Sequence, residues 1–199
     1  MPLNITMADY GVGNLHSIRK ALELCGATVN IVDDMSLLKD AECIVLPGVG
    51  AFDKSVERLL PFRDEIVARL SDGVPCLGIC IGMQMMFQGS EEGNGPGLGY
   101  LQGKVVRMKA PRIPHMGWNL VRSSDRIMDR MSDPYFYFAH SYHGAPEDYS
   151  DVGHTEYYGE IPTLFHKGNT YGTQFHPEKS SNIGLEFLGN FVKFAEENK

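Results

Sequence analysis

One cysteine flanked by glycines is the best candidate nucleophile in this sequence. Cys80 lies in the run Gly78-Ile79-Cys80-Ile81-Gly82, after an apolar segment typical of a buried strand and before a Met-rich segment typical of a helix. Flanking glycines remove the Cβ atoms that would clash at such a tight strand-to-helix turn. The helix N-terminus would stabilise a thiolate, and the N–H of Ile81 would point at a developing oxyanion. The pentapeptide alone also fits a packed core cysteine in a glycine-rich turn.

A histidine and a carboxylate two residues apart supply a candidate base and its orienting acid. Phe175-His176-Pro177-Glu178 ends the last strand-like segment. Residues i and i+2 of an extended chain point to the same side, so Glu178 could hold one imidazole nitrogen of His176. Pro177 favours an extended conformation at the residue before it. A thiol, a base and an orienting acid are the groups that acyl transfer needs, so the sequence predicts a Cys80–His176–Glu178 triad.

The elements that must position these residues follow two patterns. The first half alternates strand and helix signals, whereas the second half is a succession of strands. This pattern predicts an α/β fold with a doubly wound, mostly parallel central sheet, flanking helices and additional antiparallel strands in the second half, either on the main sheet or in a small side sheet. One domain over residues 1–199 is expected. The predicted strands are 3–8, 28–32, 43–46, 74–79, 104–108, 118–122, 135–141, 153–158, 163–166 and 170–175; the predicted helices run from about 14 to 25, from about 53 to 70 with a break at Pro61, after 80, and after 182.

Composition excludes several classes of function. The formal net charge of −7 disfavours nucleic acid and anionic membranes as partners. No stretch approaches the ~20 apolar residues that a membrane span needs, and the N-terminus lacks the pattern of a signal peptide. Four cysteines are few for a disulfide framework, which predicts reduced thiols and a cytoplasmic location. Cys76 is assigned to packing, and no metal site is expected.

Three motifs together resemble a known enzyme family. The segments 78–84, Gly-Ile-Cys-Ile-Gly-Met-Gln, and 174–178, Gln-Phe-His-Pro-Glu, are similar to the two signatures of triad-type (class I) glutamine amidotransferases. The segment 47–50, Pro-Gly-Val-Gly, is similar to the family's oxyanion strand. The resemblance implies an oxyanion hole formed by the N–H of Ile81 and that of Val49 or Gly50. It also implies that Gln84 and the backbone of Ser141 and Tyr142 hold the α-amino and carboxylate end of glutamine.

Further motifs resemble one branch of that family, the glutaminase subunits of imidazole glycerol phosphate synthases. These are segments 9–15, Asp-Tyr-Gly-Val-Gly-Asn-Leu, 114–119, Pro-His-Met-Gly-Trp-Asn, and 140–142, His-Ser-Tyr. Ala51 and His143 depart from the usual pattern of the branch. The resemblance implies no metal or organic cofactor, and a (β/α)₈-barrel cyclase partner in a heterodimer. The partner would convert the ammonia into imidazole glycerol phosphate and aminoimidazole carboxamide ribotide in histidine biosynthesis. The implied interface residues are Asn14, Met116, Trp118, Tyr137 and Lys179.

Three alternatives share the same scaffold. The nearest is a paralogous glutaminase subunit that supplies ammonia to a different synthase, such as one that amidates a surface sugar. A second alternative is a hydrolase or protease-like protein with its cysteine at the same kind of strand-to-helix turn, which would turn over its substrate without a partner. That alternative leaves the 114–119 motif unexplained. A non-enzymatic binding protein would have an unreactive Cys80. The length favours a partner-dependent glutaminase, since one such domain uses nearly all 199 residues and leaves no room for a synthase.

Overall fold

The computed structural model of the protein describes residues 2–11, 14–48, 50–148 and 150–199. Its strands are β1 (Asn4–Ala8), β2 (Thr28–Val32), β3 (Ile44–Leu46), β4 (Cys76–Ile79), β5 (Gly103–Arg107), β6 (His115–Ser123), β7 (Tyr135–His140), β8 (Tyr142–Pro146), β9 (Asp151–Glu156), β10 (Glu160–Lys167) and β11 (Thr170–Thr173). Its α-helices are α1 (Leu15–Leu24), α2 (Phe52–Glu57), α3 (Arg63–Ser71), α4 (Ile81–Gln84) and α5 (Ser181–Asn198). Short 3₁₀ turns cover Met35–Asp40, Leu60–Phe62, Arg126–Met128 and Pro177–Lys179.

Nine of these strands form one mixed sheet in the order β2-β1-β3-β4-β11-β10-β9-β6-β7. The five strands from β2 to β11 are parallel, and the four from β10 to β7 continue the sheet in antiparallel fashion. Strands β5 and β8 pair separately as a two-stranded sheet. The predicted fold class is confirmed, and both placements considered for the later strands occur. The prediction of a single domain over residues 1–199 stays a prediction.

The alternation of side chains along the parallel strands gives the sheet two buried faces. On β1, Ile5 and Met7 pack with α1 and α5, whereas Ala8 packs on the opposite face. On β4, Leu77 and Ile79 join the first cluster, and Cys76 joins the second with α2 and α3. Strand β4 is buried at every position and reads as a continuous run without charged or amide side chains, as expected for a strand covered on both faces. Strand β1 instead alternates, with Asn4 exposed and Thr6 half-buried.

Local signals set the ends of the helices. Asn14 caps α1, and Gly26 follows the helix with φ of 94°, a conformation that glycine adopts without steric cost. Pro61 separates α2 from α3, as expected, through the short 3₁₀ turn. Strand β8 was not predicted, because its sequence, Tyr-His-Gly-Ala-Pro, contains glycine and proline, which are depleted in strands. None of the helices in the described ranges is long and apolar enough to cross a bilayer.

The order of the central strands decides where the chemistry lies. Parallel strands β4 and β11 are neighbours, with Ile79 opposite Thr173. Both strands therefore end at the same edge of the sheet. Cys80 follows β4 directly, and His176 comes three residues after β11. Carboxyl ends of strands in open α/β sheets are where ligands bind.

Candidate active site

Cys80 occupies a strained turn between β4 and α4. Its φ of 49° and ψ of −106° are rare for a residue with a Cβ atom, and strain of this kind clusters at functional sites. A Cβ atom at Gly82 would lie 1.9 Å from the Leu46 carbonyl oxygen, and one at Gly78 would lie 2.8 Å from the Met83 nitrogen. The two glycines are therefore needed for the close approach of the backbone. The turn is also anchored, since the Cys80 N–H donates to the Thr173 carbonyl at 2.6 Å.

His176 and Glu178 form a buried pair beside this turn. Nδ1 of His176 lies 2.9 Å from Oε1 of Glu178, and their side chains are 2% and 1% exposed. The expected geometry was wrong in one respect. His176 is extended, but Pro177–Lys179 is a 3₁₀ turn, so the turn rather than strand alternation brings the two groups together. A carboxylate only accepts hydrogen bonds, so Nδ1 carries a proton and Nε2 is the nitrogen left for chemistry.

The backbone around His176 is tied to its neighbours. The N–H of His176 donates to the Tyr137 carbonyl at 2.9 Å, and the Ser180 hydroxyl donates to the His176 carbonyl at 2.6 Å. The second oxygen of Glu178 has no hydrogen-bond partner among the residues that the structure describes. The charge of Glu178 therefore acts chiefly on the imidazole.

The electrostatics favour a charged imidazole. Burial alone would lower the pKa of His176, but the negative charge of Cys80, a hydrogen bond to Cys80 and the hydrogen-bonded Glu178 carboxylate together raise it to about 9. His176 therefore holds a proton at neutral pH. That proton is available to a leaving nitrogen.

The predicted oxyanion groups lie at the same turn, as far as the structure describes them. Ile81 is the first residue of α4, a position where the N–H has no acceptor within the helix. Gly50 lines the cavity with φ of 139°, whereas Val49 lies outside the described residues. A Cβ atom at Gly48 would lie 2.7 Å from the Ile81 nitrogen, so Gly48 packs directly against the turn. The Tyr10 hydroxyl donates to the Pro47 carbonyl and anchors the residue before Gly48.

A cavity of about 270 Å³ opens beside Cys80. Its volume lies below the ~300–1,000 Å³ of drug-sized pockets and suits a ligand of amino-acid size. The structure brings most of the predicted catalytic and substrate residues together around it. The lining consists of Gly50, Cys80, Ile81, Gln84, Glu92, Pro114, Met116, Ala139, His140, Ser141, Tyr142, His176 and Lys179.

The amide of Gln84 is held in one orientation. Its nitrogen donates to the Tyr142 carbonyl at 3.0 Å and to Oε1 of Gln174 at 3.1 Å. Both amide protons are thereby used, which leaves the Gln84 oxygen as an acceptor for a ligand. The Ser141 carbonyl accepts from the Met108 N–H at 3.0 Å. The carbonyls of Ser141 and Tyr142 thus already accept hydrogen bonds from the protein. A carboxylate also only accepts, so one bound at this corner would be held by N–H donors.

Sequence reasoning missed two residues of the site. Gln174 is fully buried and its Nε2 donates to Sγ of Cys80 at 3.5 Å. Its position two residues before His176, at the end of a strand, could have indicated this, because such residues share a side of the chain. Glu92 lines the cavity from the glycine-rich loop at residues 91–99, and burial raises its pKa despite a hydrogen bond from the Phe52 N–H. No sequence pattern pointed to Glu92.

Two of the five residues predicted to meet a partner, Met116 and Lys179, line the cavity. Met116 and Trp118 on β6 are 63% and 53% exposed, which is high for large apolar side chains. The Trp118 ring packs edge-on against Tyr137 of β7, with centroids 6.3 Å apart. Lys179 is exposed and lines the cavity. Asn14 is exposed as the cap of α1, which contacts the turn that holds Lys179.

Comparison with known proteins identifies the family. A model of the family described as glutamine amidotransferase class-I matches residues 6–194. The chain belongs to the class-I glutamine amidotransferases. Solved structures agree on the fold: PurLQS from Thermotoga maritima has a TM-score of 0.76 at 19% identity and covers 99% of both chains. A glutamine amidotransferase from Thermotoga maritima has a TM-score of 0.64 at 18% identity, covering 99% of this chain and 85% of that one.

More similar relatives extend the family assignment to a branch. The protein named imidazole glycerol phosphate synthase subunit HisH from Methanocaldococcus jannaschii is 44% identical over 194 residues, 95% of this chain and 98% of that protein. The protein of the same name from Thermococcus kodakarensis is also 44% identical, over 94% of this chain and 98% of that protein. The resemblance stated from the sequence is confirmed, and this class-I amidotransferase is an enzyme, as predicted.

Proposed function

We propose that this amidotransferase hydrolyses glutamine to glutamate and ammonia through Cys80, His176 and Glu178. The observation that carries the proposal is a strained cysteine beside a buried histidine that is paired with a carboxylate, at the wall of a cavity of amino-acid size. The ammonia passes to a (β/α)₈-barrel cyclase subunit, which forms imidazole glycerol phosphate and aminoimidazole carboxamide ribotide. The names of the relatives support this acceptor.

The first half of the reaction releases ammonia. Sγ of Cys80 bonds to the side-chain amide carbon of glutamine, and the amide oxygen becomes an oxyanion. The N–H of Ile81 and an N–H of the Val49–Gly50 segment hold that charge. His176 delivers its proton to the amide nitrogen, the C–N bond breaks, and a γ-glutamyl thioester remains on Cys80.

The second half restores the enzyme. His176, now neutral, takes a proton from a water molecule as the water attacks the thioester carbon. The C–S bond breaks, glutamate leaves, and the sulfur and the imidazole regain their opposite charges. Glu178 stabilises the positive charge each time it forms on the ring, because its carboxylate lies 2.9 Å from Nδ1.

The far end of glutamine meets groups of the right chemistry. The free amide oxygen of Gln84 and the carboxylate of Glu92 are acceptors that suit the α-ammonium group. Backbone N–H groups at Ser141 and Tyr142 suit the α-carboxylate. The cavity therefore offers complementary partners for each part of the substrate.

The exposed surface beside the cavity supports a docked acceptor. Ammonia released into water at neutral pH becomes ammonium, which is not nucleophilic, so the acceptor must shelter it. Met116, Trp118, Tyr137, Lys179 and Asn14 are the proposed contacts, and exposed aromatic and Met side chains are enriched at interfaces. All four cysteines lie in the described ranges and are free thiols, which supports a cytoplasmic location.

Glutamate release from glutamine tests the proposal. It is measured for the chain alone, with the cyclase subunit, and with cyclase plus its aminoimidazole ligand; Cys80→Ala serves as the blank. We expect low activity alone and a strong rise with cyclase and ligand. Activity that is indifferent to the cyclase would move the acceptor to a different synthase, such as one that amidates a surface sugar. No activity under any condition, from a folded protein, would refute the glutaminase itself.

A further inference from the structure

Two buried histidines form a hydrogen-bonded chain that the reaction described above does not use. Nδ1 of His115 lies 3.1 Å from Nε2 of His140, and Nδ1 of His140 lies 2.8 Å from the Tyr142 carbonyl oxygen. At the other end, Nδ2 of Asn119 lies 3.5 Å from Nε2 of His115. The chain runs from β6 across β7 to the substrate corner at Tyr142.

The partners at its two ends fix where every proton lies. The Tyr142 carbonyl can only accept, so His140 carries its proton on Nδ1. A neutral His140 then accepts at Nε2, so His115 also carries its proton on Nδ1. The Leu120 N–H donates to Oδ1 of Asn119 at 2.9 Å, which fixes the orientation of that amide and aims an Nδ2 proton at His115. Every link donates in the same direction, towards Tyr142.

The surroundings keep both rings neutral. His115 stacks between Tyr157 and Phe138, with centroid distances of 3.9 and 4.7 Å. Burial lowers the pKa of His115 to about 4. The pKa of His140 is lowered to about 3, chiefly by burial and further by the nearby His115, His143 and His176. The hydrogen bond to the Tyr142 carbonyl acts in the opposite direction but is outweighed.

The chain ends on a carbonyl that the substrate site depends on. The Tyr142 carbonyl accepts from His140 on one side and from Gln84 on the other. The second amide proton of Gln84 goes to Gln174, whose own amide donates to Sγ of Cys80. The orientation that turns the Gln84 oxygen towards the cavity therefore depends on the position of the Tyr142 carbonyl.

We propose that His115 and His140 are positioning residues for glutamine, which act as a one-way pair of donors that fixes the Tyr142 carbonyl and, through it, the amide of Gln84. Neither ring touches the reacting atoms in this role. The inference rests on the proposed function, because it concerns how that same cavity holds its substrate. Its effect belongs to the binding of glutamine rather than to the cleavage step.

Matched substitutions separate hydrogen bonding from packing. Asparagine places an amide nitrogen where Nδ1 stands, whereas glutamine places its amide one atom further out. His140→Asn therefore keeps the donor to Tyr142, although it loses the acceptor for His115, and His140→Gln loses that donor. His115→Asn keeps the donor to His140, and His115→Gln loses it. A packing role predicts that asparagine is the worse replacement, because it leaves the larger cavity.

The experiment measures kcat and KM for glutamine with the full chain, alone and with the cyclase subunit. We expect the Gln variants to raise KM roughly five- to tenfold, the effect of about one hydrogen bond, with kcat within about twofold. His115→Asn should stay within about threefold of the parent, and His140→Asn, which keeps the donor to Tyr142 without the support of His115, should fall between the parent and His140→Gln. Equal KM values for each pair, or a higher KM for the Asn variants, would overturn the positioning role while leaving the proposed function intact. A parent protein with no glutaminase activity would overturn both.

A spectroscopic measurement on the unsubstituted protein covers the case in which the variants do not fold. Long-range ¹H–¹⁵N correlation spectra report which imidazole nitrogen is protonated. The inference requires neutral rings with the proton on Nδ1 for both His115 and His140. A proton on Nε2 of either neutral ring would break the chain of donors and refute it.

Discussion

Glu178→Gln is the substitution that tests the charge logic of the site most directly. Glutamine has nearly the shape of glutamate and can still accept a hydrogen bond from Nδ1 of His176. It lacks the negative charge that helps to raise the pKa of His176 to about 9. The side chain is 1% exposed, so water does little to screen the loss. The variant therefore removes a charge while keeping the packing.

The size of the effect follows from the kind of hydrogen bond that is replaced. A hydrogen bond to a charged partner contributes about 1.5–3 kcal/mol, and a neutral one about 0.5–1.5 kcal/mol. A difference of about 1.4 kcal/mol is tenfold in rate. The lost stabilisation slows the step in which positive charge develops on His176, when the ring takes a proton from the attacking water. We expect kcat to fall about tenfold or more, with the γ-glutamyl thioester accumulating on Cys80.

The pH dependence of the same variant has a definite sign. His176 has a folded pKa above its ordinary value of 6.5, so its contribution to stability is full below 6.5 and is lost as pH rises through about 9. Release of ammonia needs the same proton, so activity should also fall on that alkaline side. Glu178→Gln lowers the pKa of His176, so the loss of stability and the loss of activity should both occur at lower pH than in the parent.

Steady-state glutamate release across pH and intact-mass detection of the thioester measure these effects. Glu186→Gln, which removes an equal charge from an exposed position on α5, serves as the control. A kcat within twofold of the parent at every pH, with no thioester accumulation, would show that the Glu178 charge does not support His176.

Three further predictions concern the turn, the thiol and the partner surface. Gly82→Ala places a Cβ atom 1.9 Å from a backbone carbonyl of β3 and should lower the free energy of unfolding by about 2 kcal/mol or more. Gly89→Ala, whose Cβ atom would lie 3.7 Å from its nearest neighbour, should change this free energy little, and urea denaturation of both variants measures the difference. Iodoacetamide at neutral pH should modify Cys80 first, because burial raises the pKa of each of the other three cysteines, and equal labelling by peptide mass mapping would contradict it. Trp118→Ala should weaken binding of the cyclase about tenfold or more in calorimetry, and the control Leu24→Ala, at an even more exposed apolar residue, should not; equal losses would remove Trp118 from the interface.

Much of the fold could be predicted because local signals agreed with the tertiary structure. The apolar runs of β3 and β4 end at turns marked by glycine, and strand–helix alternation indicates parallel pairing. The neighbouring positions of β4 and β11 were not predictable in this way. They are 90 residues apart in the chain, and no local pattern states which strands of a sheet are neighbours.

The active site likewise has parts that local sequence predicted and parts that it did not. The cysteine and the His-Pro-Glu segment carry short-range signals, so their types and spacing predicted chemistry. The 3₁₀ turn at Pro177–Lys179 escaped prediction because a residue after proline can be extended or helical at little cost. The link between His115 and His140 escaped as well, since it joins two antiparallel strands that pair residue 115 with residue 140. Strand register depends on cross-strand packing rather than on local sequence.

The two ends of the substrate are served by different parts of the chain. The segment 174–178 supplies the groups that act on the sulfur: the amide of Gln174, the imidazole of His176 and the carboxylate of Glu178. The corner between β7 and β8 supplies the groups around the far end of glutamine. Among the described residues, Gln84 alone donates to both parts, to Gln174 and to the Tyr142 carbonyl. Changes at the corner should therefore act mainly on KM and changes in the segment mainly on kcat, because a single buried amide is the hydrogen-bonded link between them in the described structure.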